Sequence, residues 1–317
     1  MYYKIKKPAQ DVSARQPFGF IRPYNGYHTF ITGEIGKMII HYVVQYFGLI
    51  MLGFVVSTYG TLIGAGGGFV LMPLLLLLYP HEDPHRLTAI SLAVVLLNTL
   101  SGTAAYARMK RIDFKSGLIF AAATLPGAMF GVMTTASVSR QLFEGIFSIF
   151  LIGLALFMIL KPKSDAPVRR ESDHAPAAQG NKCVKQIANG MIFEYSYNRM
   201  LGIVVFFVLG FVASFFGIGG GSLIVPTLAY MLNFPVAIAA ATSQFIVAIL
   251  TCGATLSHLW IGSFHHGIHR IVALGIGMLT GAQLGAQLSN KIKGSWIIRS
   301  LAGALILVGF RMIFAAF

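Results

Sequence analysis

Gly64-Ala-Gly-Gly-Gly68 runs into Phe69-Val-Leu-Met-Pro73, and 153 residues later Gly217-Ile-Gly-Gly-Gly221 runs into Ser222-Leu-Ile-Val-Pro226. Each glycine cluster opens an apolar stretch of about twelve residues, 69–80 and 222–233. A helix rising 1.5 Å per residue needs about twenty residues to cross hydrocarbon, so both stretches are too short to span. Irregular backbone at membrane depth survives only where protein or a water-filled cavity surrounds it. Glycine permits the unusual dihedrals of such a break and a close approach by another group. A broken, half-length helix occurring twice is therefore the feature that decides the fold.

On either side, the flanking apolar stretches are 38–63, 87–107, 117–136 and 142–160 in the first half, and 200–217, 236–260, 271–288 and 296–316 in the second. The halves match beyond the glycines. Ala89-Ile-Ser91 corresponds to Ala241-Thr-Ser243 at an offset of 152, and Pro126-Gly-Ala-Met-Phe-Gly131 to Thr280-Gly-Ala-Gln-Leu-Gly285 at 154. One unit of five apolar stretches has been duplicated. The expected fold is an all-α polytopic membrane protein: two homologous halves of about four transmembrane helices each, plus a short re-entrant glycine-led helix per half. Its parts are a basic tail, 1–37, a first repeat, 38–160, a polar linker, 161–199, and a second repeat, 200–317.

Composition supports this. Only 11% of the 317 residues are charged and mean hydropathy is +0.74, against roughly 25% charged in soluble domains. The formal charge of +14 would suggest nucleic acid in a soluble protein. Here the basic residues gather in loops and in the tail, where they act as topology signals, and no nucleic-acid partner is expected. No cleavable signal peptide is visible, so the first apolar segment reads as an uncleaved anchor. The linker's Pro162, Pro167 and Pro176, set among polar residues, predict a flexible join.

If each short stretch enters and leaves on one side, each half has four crossings, and 19 Lys and Arg fall inside against 5 outside. With ten full crossings the balance is 10 to 14. The first arrangement obeys the positive-inside bias. It predicts eight spans, parallel repeats, a cytoplasmic linker and both termini in the cytoplasm.

The glycine clusters carry the chemistry. A helix N-terminus presents unpaired N–H groups and partial positive charge, and two such ends facing one cavity make an anion site without a charged side chain. The candidate binding residues are Gly64, Gly66, Gly67 and Gly68 in the first cluster and Gly217, Gly219, Gly220 and Gly221 in the second. Hydroxyl and amide side chains join them: Ser91 and Asn98 from the first half, Thr242, Ser243 and Gln244 from the second. Interhelical hydrogen bonding competes with that role for each polar residue, and tight packing competes for the glycines. A dinucleotide-binding fingerprint fails, because Phe69 and Ser222 stand where the last glycine is needed.

Titratable groups are scarce inside the spans. His258 is a candidate for proton coupling. His265, His266 and His269 crowd one loop without a carboxylate or cysteine partner, and neither a metal site nor any cofactor is expected. Cys252 reads as a small buried apolar residue. The scarcity of intramembrane acid, base or nucleophile argues against a membrane-embedded enzyme. A passive anion channel would share all of these features. Nothing in the sequence decides between a monomer and a homo-oligomer.

The paired G-x-G-G-G-x4-P clusters, the Ala241-Thr-Ser243 helix start and the P/T-G-A-x-x-G turn together resemble the TauE/SafE sulfite exporter family, over about 45–316. The resemblance implies movement of small sulfur-containing anions such as sulfite, sulfoacetate or other organosulfonates across the cytoplasmic membrane, by alternating access and with no ATP-binding subunit. The first half departs from the family pattern in having Ile90 where the second has Thr242.

Overall fold

The computed structural model describes residues 26–160, 181–186, 192–264 and 267–289, with three further positions, 303, 306 and 307. Most of the tenth apolar stretch, 296–316, lies outside the described residues, as do His265, His266, most of the tail and linker residues 161–180. The chain divides into two compact units, Met1–Val44 and Gln45–Phe317. The second unit contains both glycine-led helices and all the helices that flank them.

The elements are α1 (Gly26–Ile63), α2 (Gly68–Leu78), α3 (Pro84–Arg108), α4 (Phe114–Thr135) and α5 (Arg140–Leu160). A two-stranded ribbon comes next, β1 (Asn181–Gln186) with β2 (Ile192–Tyr197), then α6 (Arg199–Phe215), α7 (Gly221–Pro226), α8 (Val236–Ile261) and α9 (Ile268–Leu288). A π turn, Thr227–Met231, extends α7 just past Pro226, where the missing proline N–H cannot continue an α-helix ladder. Five described segments are long and apolar enough to cross a membrane: Tyr42–Ile63, α3, α4, α8 and α9. The outward faces carry large apolar side chains, Phe130, Ile149, Val204 and Trp260 among them, as a bilayer requires. Cys252 is on that outward surface, not buried.

Helix starts are set by local chemistry. Asp83 accepts the His85 N–H ahead of Pro84, Asp113 accepts the Ser116 N–H, and Asn198 accepts from Met200 and Leu201. Each side chain satisfies a donor that the first helical turn leaves free.

The halves exchange partners. A Cβ at Gly127 or Gly131 of α4 would strike the carbonyls of Phe207 or Phe211 in α6; at Gly281 or Gly285 of α9 it would strike those of Phe54 or Thr58 in α1. The first half's α4 thus lies backbone to backbone on the second half's α6, and α9 on α1 in the mirrored way. Bare glycine faces permit such an approach where apolar burial gives little drive for association.

Contacts between helix ends fix the relative direction of the repeats. At one end of the bundle the start of α4 meets both the start of α8, through Asp113 N–H to Thr242 Oγ1 at 3.0 Å, and the end of the linker, through Ser116 Oγ and Tyr197 at 2.7 Å. The end of α3 meets the end of α1 there as well, Tyr106 donating to the Thr61 carbonyl at 2.9 Å. This is the linker face. At the far face the start of α3 meets the end of α8, His85 Nε2 lying 2.9 Å from Ser263 Oγ. Tyr46 of α1 rests edge-on against His269 of α9, and Arg140 at the start of α5 donates to the Leu76, Tyr79 and Glu82 carbonyls at the end of α2.

Helices α3 and α8 are therefore antiparallel, and the repeats are inverted about an axis in the membrane plane. This corrects the expectation of parallel repeats. The short helix α2 returns to the face from which Gln45 sets out, so α1 and α2 form a hairpin and the first repeat carries an odd number of passes. The expectation that both termini share the cytoplasm with the linker rested on even parity, and that ground is gone. The linker differs from its reading too, since β1 and β2 pair antiparallel from Asn181 with Tyr197 to Gln186 with Ile192.

Candidate functional site

The two hairpin tips, Gly64–Gly67 and Gly217–Gly220, meet where α3 and α8 cross. Gly66 and Gly219 each face Val95 of α3 and Val247 of α8. A Cβ on Gly68 would strike the Ile218 carbonyl, and one on Gly221 the Ala65 carbonyl. Six tip glycines hold positive φ, from 66° at Gly217 to 84° at Gly64, a region that side-chain-bearing residues avoid. The structure thus brings both clusters into one buried junction.

Seven backbone N–H groups end there without an acceptor among the described residues: those of Gly67, Gly68 and Phe69 in the first tip, and of Gly219, Gly220, Gly221 and Ser222 in the second. The hydroxyl of Ser222 is fully buried and also unpartnered. Buried donors without acceptors are costly and rare. Several gathered at one junction give it a positive polarisation suited to an anion.

The polar candidates divide. Ser91 donates to the Gly217 carbonyl at 2.6 Å, and Ser243 to the Gly64 carbonyl at 2.7 Å, so each clasps the tip of the opposite half. Asn98 is a hub, its Oδ1 taking the hydroxyls of Ser57 and Thr61 and its Nδ2 donating to the Gly66 carbonyl at 2.7 Å. Thr242 accepts the Asp113 N–H. Ser91, Ser243 and Asn98 thus position the tips, while Thr242 ties the start of α4 to α8. Gln244 differs: it is fully buried, with both its amide oxygen and nitrogen unpartnered. His258 is away from the tips, at the far face, its ring 4.8 Å from that of His85 and its Nδ1 3.3 Å from Ser263 Oγ.

Sequence reasoning missed Ser222, Arg111, His85 and Ser263. Ser222 was detectable, because Phe69 stands at the matching place in the first half. Arg111 was counted only as a topology charge, and its burial, 8% exposed, is not visible in the loop's composition. No group of three or more His, Cys, Asp or Glu that could hold a metal occurs among the described residues.

A family model described as Sulfite exporter TauE/SafE matches residues 49–312. The chain is 35% identical over 272 residues to the probable membrane transporter protein YunE of Bacillus subtilis, covering 84% of this chain and 96% of that one. It is 26% identical over 279 residues to a probable membrane transporter protein of Methanocaldococcus jannaschii, covering 84% and 94%. A probable membrane transporter protein of Xylella fastidiosa is 26% identical over 249 residues, covering 78% and 86%. No solved structure matches the chain significantly.

Proposed function

The chain belongs to the TauE/SafE sulfite exporter family, and from that premise we propose that it is a secondary transporter moving small sulfur-containing anions, such as sulfite or organosulfonates, by alternating access. The observation that carries this reading is the junction of inverted hairpin tips, where unpartnered amides from both halves converge at the α3–α8 crossing. An oxyanion there would meet N–H donors and helix dipoles. Inverted repeats supply two near-equivalent arrangements of the same site, open to one face or the other.

Sidedness follows from charge. With the six of the tail and Arg311 set apart, segment 108–116 carries four Lys and Arg and the linker 161–199 seven, whereas Arg86, Arg140 and Arg270 serve the far face. Lys291 and Lys293 come just after α9, which ends at the linker face. The positive-inside bias makes the linker face cytoplasmic, in a cytoplasmic membrane. A monovalent anion leaving a cell at 100 mV, inside negative, gains about 2.3 kcal/mol from the potential, which favours export without a coupled ion.

Flux in proteoliposomes against sulfite, sulfate, sulfoacetate, taurine and acetate, at zero and at imposed potential, tests the proposal. Saturable movement of one sulfur anion, accelerated by an outward-driving potential, is the expected result. Flux that never saturates makes the protein a channel, and no flux of any anion overturns the reading.

A further inference from the structure

Resting on the transport reading, we propose that Arg111 and Gln244 form a separate receiving subsite for the oxyanion, at the linker-face end of the bundle between the surface and the hairpin tips.

Arg111 lies in the loop between α3 and α4 and is nine-tenths buried, yet neither ion pair among the described residues, Arg140–Glu144 and Arg270–Glu82, includes it. A buried guanidinium is ordinarily matched to a carboxylate or phosphate. Burial pulls its pKa below the ordinary arginine value, the Tyr106 hydroxyl acting in the opposite sense. The group nevertheless keeps its charge, since arginine is effectively always protonated.

The loop is fastened to the start of α8. The Asp113 N–H is bonded to Thr242 Oγ1, and Ile112 packs in one apolar cluster with Tyr106, Ala241 and Phe245. One turn of α3 back from Tyr106, Gly102 presents bare backbone. A Cβ there would sit 3.1 Å from Gln244 Oε1 and 3.2 Å from the Thr61 methyl, and Thr61 is the residue whose carbonyl holds Tyr106. Arg111, whose backbone N–H donates to the Tyr106 carbonyl, and Gln244, which flanks Gly102 with Thr61, are thus both tied to the Tyr106–Thr61 contact.

Internal symmetry singles out the same place. The clasps Ser91 and Ser243 are matched between halves, as are Val95 with Val247 and Thr99 with Thr251. The residue matching Gln244 is Leu92, fully buried as well. An apolar side chain therefore suffices at this position for packing, while the second half holds an amide whose donors and acceptor are all unmet. An oxyanion is the ligand that answers both groups, taking charge-assisted bonds from the guanidinium and an N–H from the amide.

The test uses the purified full-length protein with sulfite as the probe, against chloride at equal ionic strength, reading the ligand-induced rise in Tm. The unaltered protein is expected to be stabilised by sulfite. Arg111→Gln and Gln244→Leu are expected to weaken the apparent affinity about ten-fold or more, the scale of one lost charge-assisted bond. Arg111→Lys should lie between. Without ligand, Gln244→Leu should unfold at the same or a higher temperature, because it installs the other half's residue and removes unmet polar atoms. Apparent affinities within about two-fold of the unaltered protein in both variants would overturn the subsite. If the unaltered protein shows neither stabilisation nor flux with any anion, the transport reading fails first and the subsite with it.

Discussion

The Ser243 hydroxyl donates to the carbonyl of Gly64, 179 residues away in the chain, at 2.7 Å. Its counterpart Ser91 does the same to Gly217 at 2.6 Å. Each half thereby holds the other's hairpin tip by a single bond inside the membrane. Replacing Ser243 or Ser91 with Ala leaves a buried tip carbonyl without its donor. The expected cost is about 1 kcal/mol, since the unfolded chain within a membrane also finds partners. Thermal unfolding in detergent should show a lower Tm for each variant, and transport assays a reduced maximal rate with little change in KM. A large rise in KM with unchanged stability would make these hydroxyls ligand contacts instead of clasps.

The tip glycines and the helix glycines differ in what a methyl group meets. Gly68→Ala and Gly221→Ala drive a Cβ into the Ile218 and Ala65 carbonyls, and backbone cannot step aside as a side chain can. Flux should be lost while the protein still inserts, with overpacking costing about 1–3 kcal/mol or more. Gly145 in α5 has open space around its missing Cβ. There Gly145→Ala should be silent in transport and raise stability by up to about 1 kcal/mol through helix propensity alone. Insertion, flux and unfolding measured side by side on the three variants separate these outcomes.

Much of this arrangement was legible in the sequence, for identifiable reasons. The paired clusters ending in Gly68 and Gly221 announced broken helices, because glycine alone takes positive φ at no steric cost, and their common offset announced a repeat. The direction of the repeats was not legible. It depends on whether α2 returns to the face where α1 began, a question that the eleven residues of α2 leave open and that Arg140 answers by gripping the Leu76 and Tyr79 carbonyls. Charge counting then misled, because the bias was applied to the wrong parity. Hydroxyl chemistry was visible at Ser91 and Ser243, but a hydroxyl that clasps a carbonyl and one that awaits an anion look alike in one dimension. Glu144 is likewise silent in one dimension, yet it is buried and ion-paired with Arg140 at 2.7 Å.

Inverted repeats make a sharp prediction about accessibility. In a background lacking Cys183 and Cys252, single cysteines at His81 and Ser137 should react with an impermeant thiol reagent from one side of the membrane. Cysteines at Lys110 and Asn198 should react only from the other. His81 and Ser137 adjoin the far-face contacts of Glu82 and Arg140, while Lys110 and Asn198 flank the linker-face contacts of Asp113 and Tyr197. The linker-face pair is expected to label from the cytoplasm. Labelling of all four from one side would refute the antiparallel arrangement.

At the far face, Ser263 Oγ sits 2.9 Å from His85 Nε2 and 3.3 Å from His258 Nδ1, with the rings 4.8 Å apart. The remaining ring nitrogens, His85 Nδ1 and His258 Nε2, are buried and unpartnered. Two positive rings at that separation would repel by about 3 kcal/mol at an effective dielectric constant near 20, so the pair holds one proton at most. A histidine that can take up a proton at one face of the bundle is the kind of group a coupled carrier uses. Any flux that a pH gradient adds to the potential-driven export should be lost in His258→Gln, while flux driven by membrane potential alone persists. The measurement is sulfite movement in proteoliposomes under each gradient separately. Flux in the unaltered protein that ignores an imposed pH gradient would remove His258 from the transport cycle and leave the cluster as a structural tie between α3 and α8.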